Sequence, residues 1–554
     1  MKWVSLGILT MLLSGTLHSI HNAAIGYSSV PIDDNLSDIF PVDTFIARFV
    51  NEMATKEVLK LAGEKVYSNA VIASIYEEAG YAPLWQLERN RMDLENILES
   101  AYYEGLNPKD YHLEVITNYN SLSRVYKNRK AVHAAMADLL MTDAILSYTH
   151  HLIHGKVDQK DLSPNWDYSM QPTDARKKFD LPKALKQNAL HQFVDSARSH
   201  LPFYDKLKHL FIEYDSIQKA GGQLPEIKYP GRSLKPGDTI PSVSLLKQRL
   251  KADAYTIDSI NEVFDKELES ALMSFQSLNG LPPDGIAGRK TYQALNLSLS
   301  ERLNILRANM ERVRWINYDY PDEFILINIA SYQLQMIKGN EVKFECRVVV
   351  GKEHTQTPVF FSYIRYIVFN PSWHIPYSIA SEEILPKLKT DKHYLQNRNM
   401  LLMRGSSEVN PMSIDFTKYT NTNFPYSIIQ EASASNALGK VKFIMPNKYS
   451  VYLHDTPSKS LFKRIDRAFS HGCIRLEKPF QLAELLLQEQ GYDLAAIQEI
   501  IDSKKPKTVV LNKGMPTLII YMTCNENLKN RQAIFYNDIY GLDKELLNGL
   551  NTSR

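Results

Sequence analysis

At Phe324 the apolar pattern of this chain changes its period. Upstream, apolar residues recur three and four apart: Leu94, Ile97, Leu98 and Ala101 line one helical face, and Gly105 stops it. Ala134, Leu139, Leu140, Ala144 and Ile145 mark a second apolar helix. Downstream, Phe324 to Ile329 reads as a buried strand, and Tyr332, Leu334 and Met336 alternate with Gln333 and Gln335. Gly339-Asn340 marks a turn, and Phe344, Cys346, Val348 and Val350 form the return strand. Two periods in 554 residues predict an α+β multidomain chain whose domains each bury their own core.

Residues 40–230 read as mostly helical. Ile72 to Trp85 carries Ile75, Tyr76 and Ala79 on one face before the breakers Gly80 and Pro83. His150 and His154 stand four apart ahead of Gly155. They could ligate a metal, but the favoured reading is two histidines at the negative end of a helix before a Gly cap. A breaker-rich linker at 221–237 leads to a compact helical unit at 240–297. Leu245, Leu246 and Leu250 form one face there; Leu268, Ala271, Leu272, Phe275 and Leu278 form another. Glu301 to Trp315 is a connecting helix. Its arginines, Arg302, Arg307, Arg312 and Arg314, are expected to form a solvated face.

Residues 380–440 interrupt the strand pattern. The stretch opens on charged, helix-compatible sequence (Glu382, Glu383, Lys387) and continues rich in Asn, Ser and Thr. A segment this long inside a compact domain reads as a capping lid or as a passive surface excursion. Val441 to Met445 and Ser450 to Leu453 are predicted strands that deliver His454.

The chemistry concentrates in Tyr452-Leu453-His454-Asp455-Thr456-Pro457 and Phe469-Ser470-His471-Gly472-Cys473-Ile474-Arg475-Leu476. A cysteine is a nucleophile as the thiolate, and a histidine can take its proton. His454 precedes Cys473 by 473 − 454 = 19 residues, enough for a loop to bring them together. Gly472 allows close backbone approach, and its amide with that of Cys473 could hold an oxyanion. Arg475 favours the thiolate and could grip a carboxylate. The other two cysteines, Cys346 and Cys524, follow strand patterns and are expected to be packed. Spacing gives no convincing metal site around His454, His471 and Cys473.

The string His454 … Ser470-His471-Gly472-Cys473-Ile474-Arg475 resembles the signature of the L,D-transpeptidases, the YkuD-type enzymes that remodel peptidoglycan. The resemblance covers about 320–545. Phe275-Gln276 … Asp284-Gly285-Ile286-Ala287-Gly288 … Thr291 … Ala294-Leu295 is similar to the small three-helix peptidoglycan-binding domain. The resemblance implies a helical scaffold at 40–230, a peptidoglycan-binding domain at 240–297 and a β-rich catalytic domain at 320–545, with 380–440 as its capping insertion. It implies Cys473 as nucleophile, His454 as base and Gly472 at the oxyanion, with no cofactor. Arg475, Ser470, His471, Tyr452 and Trp373 are the expected substrate contacts, although Trp373 could equally plug the core. The implied reaction takes a tetrapeptide stem, releases D-alanine and forms a 3→3 crosslink, and carbapenem-type inhibitors would acylate the cysteine. A hydrolase using the same site, or a non-catalytic wall-binding scaffold, stays open.

Lys2 followed by the apolar run Trp3 to Leu17 resembles a secretory signal, with residues 1–24 as signal or membrane anchor. Either way the expected location is the periplasm, with association to the membrane or to wall-synthesis partners open. A net charge of +2 gives no reason to expect nucleic acid.

Overall fold

The computed structural model describes residues 40–55, 58–125, 131–162, 166–167, 180–199, 201–222, 226–253, 255–316, 320–339, 341–526 and 533–553. The signal or anchor expected at residues 1–24 lies outside them. Among the described residues no helix is long and apolar enough to cross a membrane.

The helical region is built on one helix. Helices α1 (Val42–Met53), α2 (Asn69–Glu78), α3 (Glu88–Ser100) and α4 (Leu113–Val125) surround α5 (Ala131–His154). A helix buried on all sides is mostly apolar all round, and the buried acids of α5, Asp138 and Asp143, are hydrogen-bonded to Tyr76 and His112. On one side of α5, Met136, Leu139 and Leu140 meet Phe45, Phe49 and Tyr76; on the other, Met141, Ile145 and Leu152 join the main core. Gly155 ends α5 at φ +86°, and a Cβ there would come within 2.6 Å of the Trp315 ring. The rings of His150 and His154 lie 4.6 Å apart at that end. Among the described residues no three ligating side chains gather for a metal.

Helix α6 (Pro202–Lys219) leads to the compact unit, helices α7 (Pro241–Ala252), α8 (Lys266–Leu278) and α9 (Arg289–Leu295), which closes its own core around Leu246, Leu272, Phe275 and Leu295. Gln276 explains the spacing of its landmarks. Its amide donates to Asp284 Oδ1 and to the Ile286 carbonyl, both at 2.9 Å, and accepts from Gly285 N at 2.9 Å. One buried glutamine thus ties residues 284–286 of the turn to α8.

Helix α10 (Leu299–Trp315) corrects an expectation. Its N-terminus is a capping box between Ser298 and Glu301. Its arginines do not form a solvated face: Arg302, Arg312 and Arg314 are buried. Arg314 donates to Glu311 at 2.6 Å and to the Tyr204 hydroxyl at 2.9 Å, and also bonds the Glu104 carbonyl. Arg312 pairs with Asp543 at 2.5 Å. α10 is therefore the axle between the scaffold helices and the β-rich region. Buried charge is tolerated there because its partners come from α6, from Glu104 and from the C-terminal helix α11 (Leu542–Asn551).

The β-rich region is a sheet that closes on itself. Strand β1 (Trp166–Asp167) belongs to the scaffold; β2 (Glu323–Asn328), β3 (Gln333–Lys338), β4 (Glu341–Gly351) and β5 (Val359–Phe369) follow α10. An inserted sheet holds β6 (Trp373–Ile375), β7 (Met400–Arg404), β8 (Ser407–Glu408) and β9 (Ser427–Gln430). The chain then returns through β10 (Val441–Ile444), β11 (Leu453–His454), β12 (Ala468–Ser470), β13 (Ile474–Leu476) and β14 (Lys507–Ile520). The order is β10-β11-β13-β4-β3-β2-β14-β5, and β10 pairs with β5 to close the ring. β1 adds in parallel to the start of β5, with Trp166 opposite Val359.

The insertion has a core of its own, Ile384, Leu385, Leu388, Leu402, Phe424 and Ile428. It is an ordered subdomain and not a loose excursion. Its strands pair across more than twenty residues, Met403 opposite Ser427, which no local pattern announces.

Candidate active site

Register alone assembles the site. Lys442 on β10 lies opposite His454 on β11, and His454 lies opposite Arg475 on β13. Residues directly opposite in a sheet share a face, and so do residues two apart on one strand. Tyr452 and Cys473 therefore join Lys442, His454 and Arg475 on that face. The intervening Leu453 and Ile474 point into the core and are fully buried. The rings of Tyr452 and His454 are 5.7 Å apart, and Lys442 Nζ sits 3.8 Å from the centre of the Tyr452 ring.

His454 is 4 % exposed. Its Nδ1 lies 2.5 Å from the Asp455 carbonyl, so Nδ1 carries the proton and Nε2 is left with a lone pair. Burial, then the charges of Arg475 and Lys442, push its pKa down to about 3, against the opposing Asp455 bond. The ring is a neutral base. Asp455 holds that carbonyl in place. Its carboxylate accepts from Lys440 N at 2.9 Å and from Lys459 Nζ at 2.6 Å, and its own amide bonds Val441 O at 2.9 Å.

Burial pushes the Cys473 thiol up, opposed by the Tyr452 backbone and hydroxyl and by Lys442 and Arg475. The sulfur leans toward the Ser450 carbonyl at 3.9 Å. The Tyr452 hydroxyl lies near enough to the sulfur and to the Trp373 indole for both to act on it. The resting site thus pairs a neutral thiol with a neutral imidazole, and no hydrogen bond joins the two directly among the described residues. In unliganded sites such bonds are commonly long and tighten when substrate arrives.

Three sequence-predicted contacts are corrected. Gly472 was expected to aim its amide at an oxyanion; instead it donates to Ser470 Oγ at 3.1 Å. A glycine is needed there because φ is +109°. Ser470 was expected to touch substrate. It is 2 % exposed, and its hydroxyl donates to the Cys473 carbonyl at 2.5 Å, so it braces the loop from within. His471, also expected to meet substrate, bonds Glu383 of the insertion through Nε2 at 2.5 Å. Trp373 packs, partly buried, against the insertion's core, with its indole near Tyr452. Cys346 and Cys524 are buried in strands, and burial pushes the Cys346 thiol up to about 11.

Sequence reasoning missed the residues that hold the Cys473 loop. Thr357 Oγ1 donates to the Gly472 carbonyl at 2.9 Å, and Thr355 Oγ1 donates to that of Ser470 at 3.0 Å. The Tyr540 hydroxyl accepts from Thr357 N at 3.1 Å and donates to Gly351 O at 2.8 Å. Gly351 has no room for a side chain, since a Cβ would sit 2.1 Å from the Thr355 carbonyl. Nothing local flags the threonines. Lys442 did carry a signal, a lone cation between the core residues Val441 and Phe443.

Residues 322–511 match the family model described as the L,D-transpeptidase catalytic domain, YkuD. The β-rich region is an L,D-transpeptidase catalytic domain. Residues 70–210 match a scaffold domain, and 239–295 match a "Putative peptidoglycan binding domain". A Haemophilus influenzae protein named "Putative L,D-transpeptidase" is 36% identical over 266 residues, which cover 47% of this chain and 53% of that protein. The match thus spans about half the length of each. Two solved L,D-transpeptidases are also similar. The one from Xylanimonas cellulosilytica is 14% identical over 53% of this chain and all of its own, at a TM-score of 0.17. The one from Stackebrandtia nassauensis is 13% identical over 53% of this chain and 96% of its own, at 0.21. In the transpeptidase domain, all five side chains on the shared face of β10, β11 and β13 come from within the matched range.

Proposed function

We propose that this chain is a peptidoglycan L,D-transpeptidase that forms 3→3 crosslinks through a thioester on Cys473. The observation that carries this reading is the single sheet face holding Cys473, a buried neutral His454 and two cations, inside a domain of the matching family.

Cys473 Sγ attacks the carbonyl of the residue before the terminal D-alanine of a tetrapeptide stem, while His454 Nε2 takes the thiol proton. The tetrahedral oxyanion is held by the Cys473 amide and the Tyr452 hydroxyl; such a donor is worth roughly 100-fold in rate. The intermediate collapses to a thioester, and His454 returns its proton to the departing amine. The side-chain amine of a second stem then attacks the thioester and gives its proton to His454. The products are a new amide and the free thiol. The helical unit at 239–295 would hold the wall nearby, and the insertion would cap the bound stem. A carbapenem-type β-lactam would acylate the same sulfur. Export to the periplasm is part of this proposal, since the substrate lies there.

The test is incubation of the purified protein with tetrapeptide muropeptides, followed by mass spectrometry. Crosslinked dimer supports the transferase. Tripeptide monomer alone means water is the acceptor, and the enzyme is an L,D-carboxypeptidase. No change leaves a non-catalytic wall-binding scaffold and removes the proposal. Deleting 380–440 should lower turnover; an unchanged rate would remove the capping role.

A further inference from the structure

Two partly buried cations lie beside the sulfur with no counter-charge. Lys442 faces the Tyr452 ring, with His454 opposite on one neighbouring strand and Val368 on the other. No acid comes from any of these elements. Arg475 lies beyond His454, and its Nε is buried without a hydrogen-bond partner. Among the described residues neither cation forms an ion pair with a carboxylate. Elsewhere in this molecule buried arginine is paired: Arg314 with Glu311 and Arg312 with Asp543. Desolvating a charge without a partner costs free energy, which a bound anion would return.

The distances suit an anion attached to the substrate. Adjacent strands are about 4.8 Å apart, so both cations lie within one or two strand spacings of Cys473. The C-terminal carboxylate of a peptide lies one residue, roughly 3.5 Å, beyond its last amide carbonyl. A carbonyl held at the sulfur therefore brings that carboxylate within the shorter of these spans when the bond attacked is the last one.

We propose that Lys442 and Arg475 together form a carboxylate site that receives the C-terminal carboxylate of the donor peptide and so confines attack to its last peptide bond. The assignment to a donor rests on the acyl transfer proposed above; the site itself does not. Lys442 supplies a point charge held over the Tyr452 ring, and Arg475 supplies a fork that matches a carboxylate.

Two alkylating agents test the site without turnover. Iodoacetate and iodoacetamide place the same carbon on sulfur and expel the same iodide, but only iodoacetate carries a carboxylate. Cys346 and Cys524 are buried, and the Cys473→Ala variant corrects for any reaction there. The ratio of the two rates, relative to that for N-acetylcysteine, should favour iodoacetate in the native protein. In Lys442→Gln the ratio should fall roughly tenfold, the scale of one charge-assisted hydrogen bond, and Lys442→Arg should restore it. If both rates fall together and the ratio holds, Lys442 acts only on the thiolate and the proposal is overturned. The iodoacetamide rate also shows that the site is intact in each variant. A second measurement tests the donor. Lys442→Gln should lower kcat/KM for a tetrapeptide with a free terminus roughly tenfold more than it lowers kcat/KM for the C-terminal amide of the same peptide. A native preference for the free acid that survives in Lys442→Gln overturns the assignment to the donor's terminus. If the wild-type protein turns over neither peptide, the acyl-transfer reading fails, and the alkylation ratio still decides the carboxylate site.

Discussion

The scaffold and its connecting helix treat buried charge in one way, and the active-site face treats it in another. Glu104, fully buried, accepts from Arg198 at 2.8 Å, Tyr204 at 2.7 Å and Lys208 at 2.5 Å. Burial raises its carboxyl, but Lys208 and Arg198 outweigh that and hold it below the usual range. His112 bridges Glu64 at 3.0 Å and Asp143 at 2.8 Å. On the face around Cys473, Lys442 and Arg475 form no ion pair among the described residues, and His454 is held by the Asp455 backbone carbonyl and not by its carboxylate. The first arrangement holds modules together; the second leaves charge available for something that arrives later.

The comparison can be broken from either side. The largest effect is expected on the unpaired side: Cys473→Ala should cut product formation by about 10⁴-fold or more, with an unchanged unfolding midpoint. Measured turnover near the wild-type level would end the account. On the paired side, Glu104→Ala takes the carboxylate from Lys208, leaves Arg198 with Asp195 alone, and removes the acceptor of the Tyr204 hydroxyl. It should cost about 1–3 kcal/mol in denaturant unfolding, because the cations left behind are partly exposed, while the folded fraction keeps its rate of Cys473 alkylation.

His112 gives a pH signature of the paired side. Burial lowers its pKa, but the bonds to Asp143 and Glu64 outweigh this and raise it to about 9 from an ordinary 6.5. A raised folded-state pKa gives stability that is complete below pH 6.5 and is lost as pH climbs through 9. The loss is about 3 kcal/mol at most. Unfolding midpoints measured between pH 6 and 10 should show this slope, and His112→Gln should flatten it.

Smaller effects sharpen the unpaired side. Tyr452→Phe should lower kcat by roughly 100-fold, with little change in stability. The rate of iodoacetamide reaction at Cys473 should rise with pH beyond the range of an ordinary thiol, because burial raises that pKa. It should show no step near pH 6.5, because His454 stays neutral there.

Much of this was legible in the sequence. The change of period at Phe324 marks where helices give way to the closed sheet. The string around Cys473 carries its own chemistry. The arginines of α10 were misread for a definite reason: charged side chains default to the surface, and Asp543 lies 231 positions beyond Arg312 (543 − 312). The strands of the insertion escaped because they are two to five residues long and pair at a distance. Gly472 and Ser470 were misassigned because a motif names residues and not the hydrogen bonds among them. Three residues of one loop satisfy each other before any substrate is present.

Strand β1 has a consequence for anyone dividing this molecule. Trp166 and Asp167 come from the helical half, yet they complete the edge of β5 at Val359 and Phe360. Trp166 also stacks edge-on against Trp315 at 4.9 Å. A fragment begun near residue 320 would keep every reactive side chain and still expose a bare run of backbone donors and acceptors, an invitation to clump. The reactive half of this chain is not a portable cassette, and grafting it elsewhere would require carrying along a two-residue splint from its neighbour.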